Sequence, residues 1–293
     1  MWVFITLFAA ACQSVRTAYQ NTLARESGFL HATMSRSLYG LPLVSVYVLV
    51  CGLWLGWVSL PAGSMFWLAA TVCALAQIMA TYLMLRVFQS GSFALGTLLA
   101  KTEAVLAALI GIPILHNSLS VLAWAGVVIG VLGALVMSVK WKNIKLVHKD
   151  TSLVFGLGSG LCFAITSVSA SMASHALNGS IITCAGVTLW YVLLLQSIIL
   201  CGIQITKRRD IFAPFRSNFA LSLKVGALSS LGSIGWFTGF ALVNPALVKT
   251  LGQLEVIGTL YYSKRRFAEQ ISKQQWVGGA MIMISVILVV TAK

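Results

Sequence analysis

Acidic residues are almost missing from this chain. Glu26, Glu103, Asp150, Asp210, Glu255 and Glu269 are the only six acids among 293 residues, and charged residues of both signs make up 9% of the sequence. A soluble domain carries roughly 25%, so a water-soluble enzyme is excluded. Histidine is also scarce: His31, His116, His148 and His175 fall in or beside apparent loops, with no H-E-x-x-H. The cysteines Cys12, Cys51, Cys73, Cys162, Cys184 and Cys201 sit in apolar runs without a C-x-x-C. They read as small buried hydrophobes, which argues against a metal site or a disulfide framework. No nucleophile–base motif and no phosphate-cradling loop occurs, so the sequence implies neither catalysis nor a cofactor.

What is present is apolar: 59% of the residues. Residues 37–85 and 151–206 contain no Asp, Glu, Lys or Arg. A membrane-spanning helix needs about 20 apolar residues, so each stretch holds two crossings and a turn. The apolar runs predict ten helices, at 2–21, 32–55, 64–86, 92–112, 119–139, 152–174, 180–204, 219–243, 246–263 and 275–292. Asn244 before Pro245 is a start signal for the ninth, because Pro fits the first helical position and Asn caps it. The first run resembles a signal peptide, but it lacks a positive start and its polar residues continue into a helix, so it is expected to be retained.

The net charge of +14 would suggest nucleic acid in a soluble chain. Position argues for the membrane instead, and no nucleic-acid partner is expected. The side reached after odd-numbered crossings carries Arg25, Arg86, the Lys140–Lys149 and Lys207–Arg216 clusters, Lys224, the Lys264–Arg266 cluster and Lys273; the opposite side carries only Lys293. Positive loops stay in the cytoplasm. Both termini are therefore expected outside it, in the inner membrane of a bacterium.

The two halves repeat at an offset of 152 residues: Glu103 matches Glu255, Trp124 matches Trp276, and Gly126 matches Gly278. Five crossings per half would invert the second copy, which gives an all-α integral membrane fold of two inverted five-helix repeats, 1–145 and 151–293. Carriers of that build bind substrate near the midplane between the halves.

Intramembrane ionisable residues are functional by default, because a charge there costs about 2.5–3.5 kcal/mol. Glu103 and Glu255 are the mid-membrane acids. Their helices also carry Lys101 and Lys249, which are not repeat mates: Lys101 matches Gln253, and Thr97 matches Lys249. Lys101 and Glu103 point about 200° apart on a helix, so they do not pair directly. Lys101 shares a face with Thr97, and Lys249 with Gln253. Lys249 lies near the outer end of its helix, where snorkelling competes with a substrate role. In the first helix Gln13, Arg16, Thr17 and Gln20 form one polar stripe that must face protein or water. For Arg16 and Arg36 two uses compete: anchoring to lipid phosphate or the Glu26 loop, and an inner vestibule that attracts anions.

Gly226, Gly232, Gly235 and Gly239 make the eighth helix thin, and G-x-x-x-G spacing recurs at Gly126–Gly130 and Gly156–Gly160. Packing within the bundle is the first reading, with a homodimer seam as the alternative. Trp190 and Trp236 read as core or interfacial tryptophans and stay outside the candidate site.

The runs Lys101-Thr-Glu-Ala-Val-Leu-Ala-Ala-Leu-Ile-Gly111 before Trp124-Ala-Gly126, and Val248-Lys-Thr-Leu-Gly-Gln-Leu-Glu255 before Trp276, resemble the EamA-type ten-helix transporters of the drug/metabolite transporter superfamily. The resemblance spans the chain. It implies a multi-pass carrier of small polar or amphipathic metabolites with a cavity between the repeats. The expected substrate site is Lys101, Glu103, Gln253, Glu255, Lys249, Arg16 and Arg36, which holds more cations than acids and so favours an amino acid or another organic anion. The expected partners are that small molecule and the lipid bilayer, with proton coupling through the acids left open. Export of amphipathic or cationic drugs and a non-transporting membrane scaffold are the alternatives.

Overall fold

The computed structural model describes residues 1–59, 63–89, 102–115, 119–138, 151–206, 216, 218–255 and 272–292. These are helical almost throughout. In chain order the helices are α1 (Trp2–Ser27), α2 (Phe29–Leu38), α3 (Gly40–Leu55), α4 (Met65–Gln89), α5 (Glu103–Leu115), α6 (Val121–Ser138), α7 (Thr151–His175), α8 (Ile181–Thr206), α9 (Phe219–Leu242), α10 (Pro245–Gly252) and α11 (Lys273–Thr291). Helices α2 and α3 run on as one apolar segment, Phe29–Leu55, so the eleven described elements make ten segments, each overlapping an expected run; residues 92–101 of the fourth run and 256–263 of the ninth lie outside the described residues. The break between them has a local cause. Pro42 has no N–H to offer the carbonyl of Leu38, and its ring crowds the preceding turn.

Among the described residues, five segments are long and apolar enough to cross a membrane: Phe29–Leu55, Met65–Val87, Val154–His175, Ile181–Thr206 and Phe219–Leu242. The bundle is apolar outside and polar within. Trp54, Leu53, Phe4 and Val121 are exposed on its outer faces, whereas Gln20, Arg36, Thr188, Ser222 and Gln253 are buried. That inversion of the soluble pattern suits a lipid surround, where polar groups must find partners inside.

Helix α4 lies along α7, α1 along α9, and α6 along α11. Glycines allow the last two approaches. A Cβ on Gly235 of α9 would sit 2.8 Å from Ala9 Cβ and 3.0 Å from the Ile5 carbonyl oxygen of α1. One on Gly126 of α6 would meet the Ser285 carbonyl oxygen of α11 at 3.1 Å. These glycines serve contacts inside the bundle, as small residues do where helices lack a hydrophobic drive to associate. Loop contacts follow the alternation of crossings. Ser59, after α3, donates its N–H to the Asn178 carbonyl after α7 at 3.2 Å. Asn218, before α9, donates to Ser27 Oγ at the end of α1 at 3.0 Å. At α10 the capping signal is realised: the Asn244 side chain accepts from the Ala246 N–H at 2.9 Å, with Pro245 at the first position.

Candidate functional site

A narrow, partly open cavity lies among α1, α2, α4, α7, α9 and α10. Its two sides differ in chemistry. Helices of the first half supply Gln13, Arg16, Arg36 and Gln77. Helices of the second half supply hydroxyls (Thr166, Ser229, Ser233), aromatic rings (Phe163, Trp236, Phe237, Phe240) and Lys249.

The polar stripe of α1 faces inward. Gln20 is fully buried and donates to the Ala32 carbonyl at 3.2 Å. Arg16 is 7% exposed and Arg36 3%. Both side chains are thus buried within the bundle. Arg36 donates through Nη1 to Thr81 Oγ1 at 3.0 Å, while its Nε and Nη2 have no partner among the described residues. Arg16 makes one long contact to Thr17 Oγ1, 3.5 Å, and its Nε is likewise without a partner there. The two arginines are close enough to repel each other, and Glu255 is close enough to attract Arg16. Gln13 Nε2 donates to Glu255 Oε2 at 3.2 Å, which links α1 to the end of the second-half site.

Lys249 does not snorkel. It is 8% exposed and donates from Nζ to Glu103 Oε2 at 3.1 Å. The side chain turns inward because three rings and a carboxylate meet it there. Nζ lies 4.8 Å from the Trp236 ring centroid, 5.4 Å from Phe163 and 5.5 Å from Phe240. Trp236 and Phe240 are themselves stacked, with centroids 5.9 Å apart.

Of the residues expected in the site, Arg16, Arg36 and Lys249 line the cavity, and Glu103 and Glu255 hold members of its wall. Gln253 is 1% exposed but lies elsewhere: its Oε1 would be 2.6 Å from a Cβ on Gly130 of α6. Its amide has no partner among the described residues. Lys101 lies outside the described residues. Sequence reasoning missed Gln77, Phe163, Thr166, Ser229, Ser233 and the two stacked rings. It set Trp236 aside as a packing tryptophan. Trp190, also set aside, donates to Ser45 Oγ at 2.9 Å and does not line the cavity.

The described helices thus form a bundle with a polar and aromatic cavity that helices from both ends of the chain line. Residues 150–291, just under half of the chain, match the model of the EamA-like transporter family. This is a family of transporters and not of enzymes. The fold is similar to that of a protein in a solved crystal structure, with a TM-score of 0.70 and 15% identity over 98% of this chain and 96% of the other. No curated protein matches the sequence.

Proposed function

We propose that the protein moves a small polar metabolite with at least one anionic group, such as an amino acid or another organic anion, by alternating access. The observation that carries this reading is the pair of buried arginines. Arg36 keeps two guanidinium donors and Arg16 one without a partner among the described residues, and both residues line the cavity. A buried donor without a partner is costly, and a carboxylate or phosphate satisfies several at once by charge-assisted bonds. Lys249 belongs to the same proposed site, Glu103 and Glu255 position the cations, Lys101 is proposed as a further contact, and Gln253, which lies against Gly130, stays outside it.

In this reading residues 1–145 and 151–293 are two inverted five-helix repeats. Support comes from the helix pairing. Exchanging each segment for its counterpart five crossings later turns the α4–α7 pair into the α9–α1 pair, and leaves the α6–α11 pair unchanged. The Lys and Arg bias supports an orientation with both termini outside the cytoplasm, in a bacterial inner membrane.

The test has two stages. A thermal-stability screen of the purified protein against anionic, zwitterionic and cationic metabolites finds stabilising ligands by mass action. Flux of the best ligand into protein-loaded vesicles then tests for saturable uptake or exchange. Stabilisation by anions, lost in Arg36→Met, supports the reading. Stabilisation by lipophilic cations alone, unchanged in Arg36→Met, overturns it in favour of a drug exporter.

A further inference from the structure

The Lys249 ammonium is itself bound as a ligand would be. Three aromatic rings lie within 5.5 Å of Nζ, and a carboxylate oxygen accepts from it at 3.1 Å. Ring faces around a cation, with an acid to complete the shell, are the chemistry that recognises a free alkylammonium. Here the cation is tethered to α10 and belongs to the protein. It lines the same cavity as Arg16 and Arg36.

We infer that this cage is a cation subsite filled by Lys249, and that the transported substrate is accordingly an organic anion without an ammonium group of its own. The inference rests on the anion reading above and narrows it. A zwitterion would bring its ammonium into a cavity whose described charges are already three cations, Arg16, Arg36 and Lys249. The nearby acids are engaged: Glu103 holds Lys249, and Glu255 accepts from Gln13. Among the described residues the buried polar atoms left without partners on the cavity wall are the guanidinium donors, Ser229 Oγ and Trp236 Nε1. These favour an acceptor-rich ligand. The rings that hold Lys249 offer flat apolar surface to the body of an anion whose carboxylate faces the arginines. Lys249 thus sets specificity: it supplies the positive group that an amino acid would otherwise bring.

The experiment uses the full-length protein in detergent and three probes sharing a phenylalkyl skeleton: 3-phenylpropanoate (anion), phenylalanine (zwitterion) and phenethylamine (cation). Binding is read by ligand-induced thermal shift and titration. The wild type should bind 3-phenylpropanoate at least about tenfold more tightly than phenylalanine, since like charges placed together in an interior cost several kcal/mol. Lys249→Ala empties the cage. In that variant the preference should shrink or reverse, and methylammonium chloride should stabilise the variant while leaving the wild type unmoved. If phenylalanine binds the wild type as well as 3-phenylpropanoate does, the cage inference falls and the anion reading stands. It falls equally if methylammonium leaves folded Lys249→Ala unchanged. If phenethylamine binds the wild type and neither carboxylate does, both readings fall. Should Lys249→Ala fail to fold, the wild-type ranking decides alone, because it needs no variant.

Discussion

Replacing Glu103 by glutamine should destabilise the protein more than replacing Glu103 and Lys249 together. The pair is 3.1 Å apart, with side chains 8% and 11% exposed. At that burial, removing one partner strands the other charge and typically costs about 3–5 kcal/mol, whereas replacing both by apolar or neutral groups of similar volume is often near neutral. The cage bears on the size of the effect. In Glu103→Gln the stranded ammonium keeps its contacts with Trp236, Phe163 and Phe240, which are worth about 0.5–2 kcal/mol in all. The loss should therefore fall at the lower end, about 3 kcal/mol. Glu103→Gln/Lys249→Met removes both charges while keeping two side chains of nearly the same length. It should recover most of that loss and show a coupling energy of about 2 kcal/mol, within the range seen for residues in contact. The assay is a double-mutant cycle on the purified protein, following thermal or denaturant-driven loss of the folded state in one detergent. The order should be wild type, then the double variant, then Glu103→Gln. If the double variant loses as much as the two single variants summed, the ion pair does not hold α5 to α10 and the reasoning fails.

Three further outcomes follow from the geometry. Arg36→Met should leave thermal stability unchanged or raise it while abolishing anion-induced stabilisation, because it removes a buried cation with two unpartnered donors and Thr81 keeps its bond to the Gln77 carbonyl; a large fall in melting temperature would show that the charge is structural. Gly235→Val should cost about 1–3 kcal/mol by overpacking, since a Cβ there meets Ala9 and the Ile5 carbonyl. Gly202→Ala is its control, with nothing within 4 Å, and should melt with the wild type or above it; equal melting of both variants would refute the close α1–α9 contact. A reporter active only outside the cytoplasm should be active when fused after Lys293 and silent when inserted after Lys145; the opposite pattern would invert the proposed orientation.

The helices were legible because charge is so sparse. Each long uncharged stretch has room for only a whole number of crossings, and the turn residues between them divide it. The inward face of α1 was legible for a related reason: polar residues recurring every three or four positions in an apolar helix have nowhere else to go. The pairing of Lys249 with Glu103 was not legible. The residues are 146 apart, and the internal repeat matches Glu103 with Glu255 and Lys249 with Thr97, so it offers no hint that these two meet. Which faces of α5 and α10 turn towards each other is decided by packing with other helices.

The aromatic side of the cavity was missed for a different reason, since a ring in an apolar helix looks like core. Yet α9 carries a signal of its own: glycines at 235 and 239 each precede a ring, Trp236 and Phe240. Gly235 lets α9 approach the backbone of α1, and Gly239 lies against Thr6 of α1 and Val248 of α10. One residue further on, a helix has turned by about 100°. Whatever follows each glycine must point beside the α1 contact and not into it, along the seam between α1 and α10. Lys249 and the arginines open onto that seam. The two glycines thus do more than thin the helix: by fixing which face meets α1, they aim both rings at the Lys249 ammonium.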